Sequence, residues 1–319
     1  MKRRHWLTIG IATALTIRSL ARGGRRGLGH RISAAQQRGW LFRARQPADR
    51  LNIRYKPGSA VTLDVYAPAG ASGCPVVVSI HGGGWTLFRS RLFTFSAPSL
   101  VERGVIVVLP DYTLYPRAQN TQMADEVAAA VAWTLEHIAD YGGDRHRVYL
   151  QGHSAGAQLA GLVGLDERYL AAYGHSTAEL AGVALSGAVT DVEALHDYWS
   201  HRSGMRADAG PQWRAMGRSR EGLRAASPVN HIRADAPPLL VLHGEADRYV
   251  PMFIPRAFYE KALAAGADVT WRSYPGKGHA DALFDAALDP RAPLNEDLLA
   301  FIVRTSGPVA GDTLAARAA

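Results

Sequence analysis

The stretch Arg147-Val148-Tyr149-Leu150-Gln151-Gly152-His153-Ser154-Ala155-Gly156-Ala157-Gln158-Leu159-Ala160 decides how the rest of the chain is read. An apolar run enters Gly-x-Ser-x-Gly, and small residues with leucine at helical spacing follow, which is the pattern of a strand, a sharp turn and a helix. The two glycines explain the turn. At Gly152 and Gly156 a β-carbon would collide with the adjacent strand or helix, while Ser154 projects its hydroxyl above the sheet. The Ala155 N–H, at the start of the helix, points into the same space and can donate to a developing oxyanion. Alone, the pentapeptide also fits a tight turn with a capping serine, so the surrounding chain must decide.

Length and composition narrow the choice. With 319 residues, 47% of them hydrophobic, the chain can bury one large core, and we read one domain with insertions. The single cysteine, Cys74, excludes an intrachain disulfide and a cysteine-based metal cluster, and no metal or cofactor is expected. The formal charge of +8 is unevenly spread: of the 36 basic side chains, 11 lie in residues 1–48, which hold no acid, so 25 face 28 acids in residues 49–319. The body is slightly acidic, which argues against a phosphate-binding groove and a nucleic-acid partner.

Residues 1–21 open with Lys2, Arg3 and Arg4 and continue with a twelve-residue apolar stretch too short to span a bilayer comfortably. Export or membrane anchoring is the leading reading, with membrane association through this segment. A mitochondrial presequence over residues 1–48, or an amphipathic segment of a cytoplasmic protein packed near the active site, are the alternatives. Residues 22–50, rich in Arg and Gly without a clean period, read as a basic linker with one helix. The catalytic domain is placed at 51–304 and a flexible tail at 305–319. Oligomeric state is not legible.

Within the domain, residues 51–55 and 61–66 alternate as two strands joined by Lys56-Pro57-Gly58-Ser59, a hairpin signal. The continuous apolar run of residues 75–80 predicts a central parallel strand and ends in His81-Gly82-Gly83-Gly84-Trp85. Three glycines after a buried strand pack nothing, so they point to a backbone that must approach a ligand. Helices are expected at 96–103, 122–141, 255–265 and 295–304, and strands at 105–109, 180–185, 239–244 and 269–274. Asp125, in the first turn of its helix, reads as surface charge. Residues 187–236, with Tyr198, Trp199, Trp213 and Met216 scattered among polar residues, are too long for an ordinary connection and predict a helical lid.

This alternation predicts an α/β fold, a mostly parallel sheet with helices on both faces, which binds ligands beyond the carboxyl ends of its strands. His81 to Trp85, Ser154, Asp247 and His279 each follow the end of a separate predicted strand. A serine hydroxyl needs a base of near-neutral pKa, and histidine serves when a carboxylate holds its other nitrogen. His279, in the turn Pro275-Gly276-Lys277-Gly278-His279, is the candidate base. His81 and His153 are read as groups that hydrogen-bond and position backbone. Asp247 is the preferred acid over Glu245 and Asp281.

Together, Gly152-His153-Ser154-Ala155-Gly156, His81-Gly82-Gly83-Gly84-Trp85, Pro110-Asp111-Tyr112, Asp247 and His279 resemble the α/β-hydrolase superfamily, in its carboxylesterase and hormone-sensitive-lipase-like branch, over about residues 51–304. The resemblance implies an oxyanion hole of the Gly83, Gly84 and Ala155 N–H groups and a serine hydrolase acting on small-molecule esters of small to medium acyl chain. The chain reads Asp111-Tyr112-Thr113-Leu114-Tyr115-Pro116-Arg117 where that branch often has Asp-Tyr-Arg-Leu-Ala-Pro-Glu. Here it is closer to prenylcysteine-methylesterase-like and kynurenine-formamidase-like esterases. An aryl-formamidase using the same triad is therefore the near alternative, and a non-catalytic ligand receptor of the same fold the distant one.

Overall fold

The computed structural model describes residues 26–203 and 210–309. Eight strands form one sheet: β1 (Ile53–Arg54), β2 (Thr62–Tyr66), β3 (Cys74–Ile80), β4 (Ile106–Pro110), β5 (Gly143–His153), β6 (Gly182–Ser186), β7 (Leu239–Gly244) and β8 (Val269–Tyr274). Their order is β1-β2-β4-β3-β5-β6-β7-β8, antiparallel at β1–β2 and β2–β4 and parallel everywhere else. The helices are α1 (Arg26–Ala44), α2 (Ala97–Val101), α3 (Asn120–His137), α4 (Ala155–Leu165), α5 (Glu167–Ala171), α6 (Val192–Ser203), α7 (Pro211–Ala215), α8 (Arg220–Ala225), α9 (Phe253–Ala264), α10 (Asp281–Leu288) and α11 (Pro293–Ser306).

Strand periodicity explains why the sheet is covered on both sides. Val76, Val78, Ile106, Val108, Leu150, Val183 and Val241 enter one core with α3 and α4. Their neighbours Val77, Val107, Tyr149, Ala184 and Leu240 enter the other with α2 and α11. Successive side chains point to opposite faces, so a strand buried on both reads as an unbroken apolar run. The parallel registers pair Ile80 with Gly152, His153 with Ser186 and Gly244 with Tyr274, which gathers the carboxyl ends of the central strands on one edge.

The 187–236 segment carries α6, α7 and α8, as its length required. Ser227 ties its two ends, accepting from the Val192 N–H at 2.9 Å and donating to Leu223 O at 2.7 Å. Two differences from the sequence reading stand at the termini. Residues 26–44, read as part of a basic linker with one helix, form α1, which buries Gly39 against the 94–95 backbone and Ala35 beside Phe95, a face of small residues that shows no apolar period. Residues 305–309 are not a loose tail, because α11 runs to Ser306, Arg147 donates to the Gly307 and Pro308 carbonyls at 2.9 Å, and Val309 is buried. The expected segment 1–21 and residues 310–319 lie outside the described residues. Among the described residues no helix is long and apolar enough to cross a membrane.

The end of α1 is fixed to β2 through Arg43, whose Nε donates to Asp64 Oδ2 at 2.8 Å. Asp64 is buried and also accepts from the Asn52 N–H at 2.7 Å and the Tyr66 hydroxyl at 2.9 Å. Removing one partner strands a buried charge. Arg43→Met is therefore expected to lower unfolding free energy by about 3 kcal/mol, read from the urea midpoint. A change under about 0.5 kcal/mol would show that Asp64 is satisfied without the guanidinium.

Candidate active site

The turn after β5 is built by contact between backbones. A β-carbon on Gly152 would lie 2.2 Å from Gly156 O, and one on Gly156 would lie 2.2 Å from Ile80 O, so neither position admits a side chain. Ser154 is forced to φ 57° and ψ −121°, a strained conformation for a residue with a β-carbon. Its N–H is held by Ser186 O at 2.9 Å. As the first residue of α4, Ala155 has an N–H with no intrahelical acceptor.

Ser154, His279 and Asp247 meet in one line. Ser154 Oγ lies 2.8 Å from His279 Nε2, and His279 Nδ1 lies 2.7 Å from Asp247 Oδ2. Asp247 Oδ1 also accepts from the Tyr249 and Val250 N–H groups at 2.8 and 3.0 Å. Burial works to raise the Asp247 pKa, but the hydrogen bond and charge of His279 and these two N–H groups hold it below the usual carboxylate value. The rival acids are elsewhere: exposed Glu245 accepts from Ser273 Oγ at 2.8 Å, and Asp281 accepts from the Gly278 N–H at 2.8 Å.

The glycine loop lies across the same edge. A β-carbon on Gly82 would meet His153 O at 2.8 Å and Ser154 Cβ at 3.2 Å. Gly83 and Gly84 take φ values of 128° and 58°, open to glycine at no steric cost. Trp85 comes next at φ 63°, buried, with its indole N–H donating to Gln158 Oε1 at 2.8 Å and its carbonyl accepting from the Tyr115 N–H at 2.9 Å. Phe88 packs against Gly83 and is half exposed.

The two histidines beside the relay are buried. His153 donates its Nε2 proton to the His279 carbonyl at 2.8 Å. Burial first, and then the neighbouring charge of His279, push its pKa down to about 4, so it is neutral at ordinary pH. His81 stacks on Tyr112 with ring centroids 4.4 Å apart, its Nδ1 is 2.9 Å from Gly82 O, and burial lowers its pKa. Tyr112 in turn donates to His81 O at 3.0 Å.

Several residues here were not singled out from the sequence. Gln158, one turn into α4, joins Trp85 to Asn120 Nδ2 at 2.9 Å and to Ala226 O at 2.7 Å, linking the glycine loop, α3 and the lid. Gly187, at φ 53°, sits where a β-carbon would press on both the His279 and His153 rings. Tyr249 places its ring 5.5 Å from that of His279 and accepts from the Trp199 indole at 3.1 Å. Of the lid aromatics, Trp199 reaches this rim, whereas Tyr198 packs on Phe253 and Trp213 stacks on His196. Asp125 pairs with Lys56 and accepts from the Tyr173 hydroxyl, away from the relay.

Fold and site together are those of an α/β-hydrolase, with a serine, histidine and aspartate at the strand ends. The chain belongs to the BD-FAE family, whose model matches residues 63–262. It is 34% identical over 265 residues to Esterase LipQ of Mycobacterium tuberculosis, covering 78% of this chain and 60% of that protein. It is 29% identical over 251 residues to the probable isoprenylcysteine alpha-carbonyl methylesterase ICMEL1 of Arabidopsis thaliana, covering 74% and 52%. The chain thus spans between half and about three fifths of the length of these relatives. Among solved structures it resembles Thermogutta terrifontis esterase 2 phosphonylated by sarin, with a TM-score of 0.65, 22% identity and coverage of 81% of this chain and 94% of that one. A truncated carbohydrate esterase from gut microbiota gives a TM-score of 0.68 at 22% identity, covering 80% and 95%. These structural likenesses establish the fold.

A buried neutral histidine makes stability depend on pH. His153 takes up a proton near pH 6.5 when unfolded but only near 4 when folded, so stability falls as pH drops through that window and levels off below it. The contribution is about 3 kcal/mol, and His81 and His243, whose pKa values burial also lowers, act in the same direction. Urea unfolding from pH 7 to 4 should show a shallower slope in His153→Gln than in the wild type. Equal slopes would mean that His153 is protonated in the folded protein.

Proposed function

We propose that the chain is a serine hydrolase that cleaves carboxylic esters of small to medium acyl chain through an acyl-enzyme. The observation that carries the reading is the relay of Ser154, His279 and Asp247, closed at 2.8 and 2.7 Å beside a glycine loop with positive-φ backbone. In this reading Ser154 Oγ attacks the ester carbonyl carbon as its proton passes to His279 Nε2, and Asp247 stabilises the imidazolium. The oxyanion is received by the N–H groups of Gly83, Gly84 and Ala155, each such donor contributing about 3–4 kcal/mol to the transition state. Collapse expels the alcohol, which takes the proton from His279. Water then attacks the acyl-enzyme by the same route, His279 acting as base, and the carboxylic acid leaves.

The substrate class is supported by the relatives' names, an esterase and a methylesterase, and by an aromatic rim in which Phe88 flanks the glycine loop and Tyr249 flanks His279. Residues 1–21 are proposed to direct export or anchoring at a membrane, on the strength of their basic start and short apolar run.

Hydrolysis of p-nitrophenyl acetate, butyrate and decanoate tests the reading, with Ser154→Ala as the control. The wild type should turn over, the variant should lose about 10⁵- to 10⁶-fold in kcat while keeping its circular dichroism, and chain-length preference should size the acyl pocket. Appreciable turnover by Ser154→Ala would remove the nucleophile from the scheme.

A further inference from the structure

The glycine loop and the His279 loop come from opposite ends of the chain, and α1 touches the segment downstream of each. Beyond the glycine loop, a β-carbon on Gly39 would lie 2.5 Å from Phe95 N, so α1 rests directly on that backbone. Beyond His279, α10 begins two residues later, and α1 holds it at two points. Arg38 donates to Ala287 O at 2.6 Å and to Ser99 Oγ at 3.2 Å, reaching α10 and α2 with one guanidinium. Arg31 pairs with Asp285, which is also paired at 2.8 Å with Lys277, two residues before His279.

The apolar contacts have the same plan. Ala35, Phe95, Leu283 and Ala287 form a small cluster of their own, separate from the two sheet cores, with Phe93 and Phe284 against it. Phe95 and Phe284 approach to 5.3 Å between ring centroids, and Phe93 lies 5.6 Å from the His81 ring at the head of the glycine loop. On its other side α10 reaches the sheet core through Ala286, whose carbonyl accepts from Asn295 of α11 at 2.8 Å. Without α1, the face of α10 that carries Leu283 and Ala287 keeps Phe95 but loses Ala35 and the Arg31 and Arg38 guanidinium contacts, and His279 is attached to that helix by a single intervening residue.

We propose that α1 is a positioning element for catalysis: through Arg38, Arg31 and Gly39 it locks α10 to the 90–96 segment, and so sets His279 against Ser154 and the glycine loop. The inference rests on the ester-hydrolase reading above. It assigns α1 no contact with substrate. Its effect therefore falls on the transition state, where a displacement of about 1 Å can cost 10²-fold, and not on ground-state binding.

The full-length chain is compared as wild type, Arg31→Met/Arg38→Met and the milder Arg38→Lys, on p-nitrophenyl butyrate and with a p-nitrophenyl phosphonate that reacts covalently with Ser154. In the double variant kcat should fall about 10- to 100-fold with KM within about threefold, and phosphonylation should slow by the same factor. Amide exchange of residues 281–288 and 90–96 should quicken. Arg38→Lys, which keeps one donor towards Ala287, should recover most of kcat.

Two results overturn the proposal. Faster exchange with unchanged kcat and phosphonylation would make α1 a purely structural element. A raised KM at constant kcat would make it part of the substrate site. A wild type that the phosphonate does not label would instead strike the hydrolase reading itself. If the double variant fails to fold, Arg38→Lys decides, since wild-type exchange with a tenfold loss of kcat, or loosened exchange without one, each excludes the brace.

Discussion

Backbone pressed against backbone at Gly152 and Gly156 is the constraint on which the site depends. The end of β5, the start of α4 and the end of β3 approach so closely that any β-carbon would fall about 2.2 Å from a carbonyl oxygen. That contact leaves Ser154 one conformation, at φ 57°. A strained residue of this kind costs about 1–3 kcal/mol, and the fold offsets it by burying α4 along its whole length between the sheet and its neighbours. The serine is therefore aimed by the main chain, which has no rotamers to lose.

Asp247 and His279 are held differently, because they sit on loops. Asp247 is kept ionised by two backbone N–H groups and by His279, and His279 is tied through its own carbonyl to His153, the residue before Ser154. Both attachments are hydrogen bonds in a low-dielectric interior, where satisfied polar groups rigidify their surroundings and unsatisfied ones are costly. The glycine loop is held by a third such device, the Trp85 indole on buried Gln158. The site thus combines a serine fixed by steric exclusion with partners fixed by polar satisfaction, and α1 packs against α10 and the 94–95 backbone beside them.

Much of this was legible because a parallel sheet converts sequence order into spatial order. Each of the parallel strands ends on the same edge, so groups at the ends of β3, β5, β7 and β8 meet although Gly83 and His279 are far apart in the chain. Choosing Asp247 over Glu245 and Asp281 rested on turn position, and the structure gives a further reason: Glu245 faces Ser273 in solvent, and Asp281 caps the Gly278 N–H. Gly187 and Gln158 were hidden for a different cause. A glycine at a strand end and a glutamine in a helix carry no signal until the groups opposite them are known.

Sequence by itself determined the doubly covered sheet, the elbow, the glycine loop and the helical insertion, and it put Ser154, Asp247 and His279 at the ends of separate strands, since all of these come from local periodicity and from steric demands on single positions. Tertiary structure alone decided where α1 and α10 lie. Helix α1 makes its contact through Ala35 and Gly39, small residues that leave no apolar stripe, and α10 is eight residues long in the shadow of a glycine-rich turn. Their placement is set by close packing against segments distant in the chain, and close packing is a property of surfaces that exist only once the chain has folded.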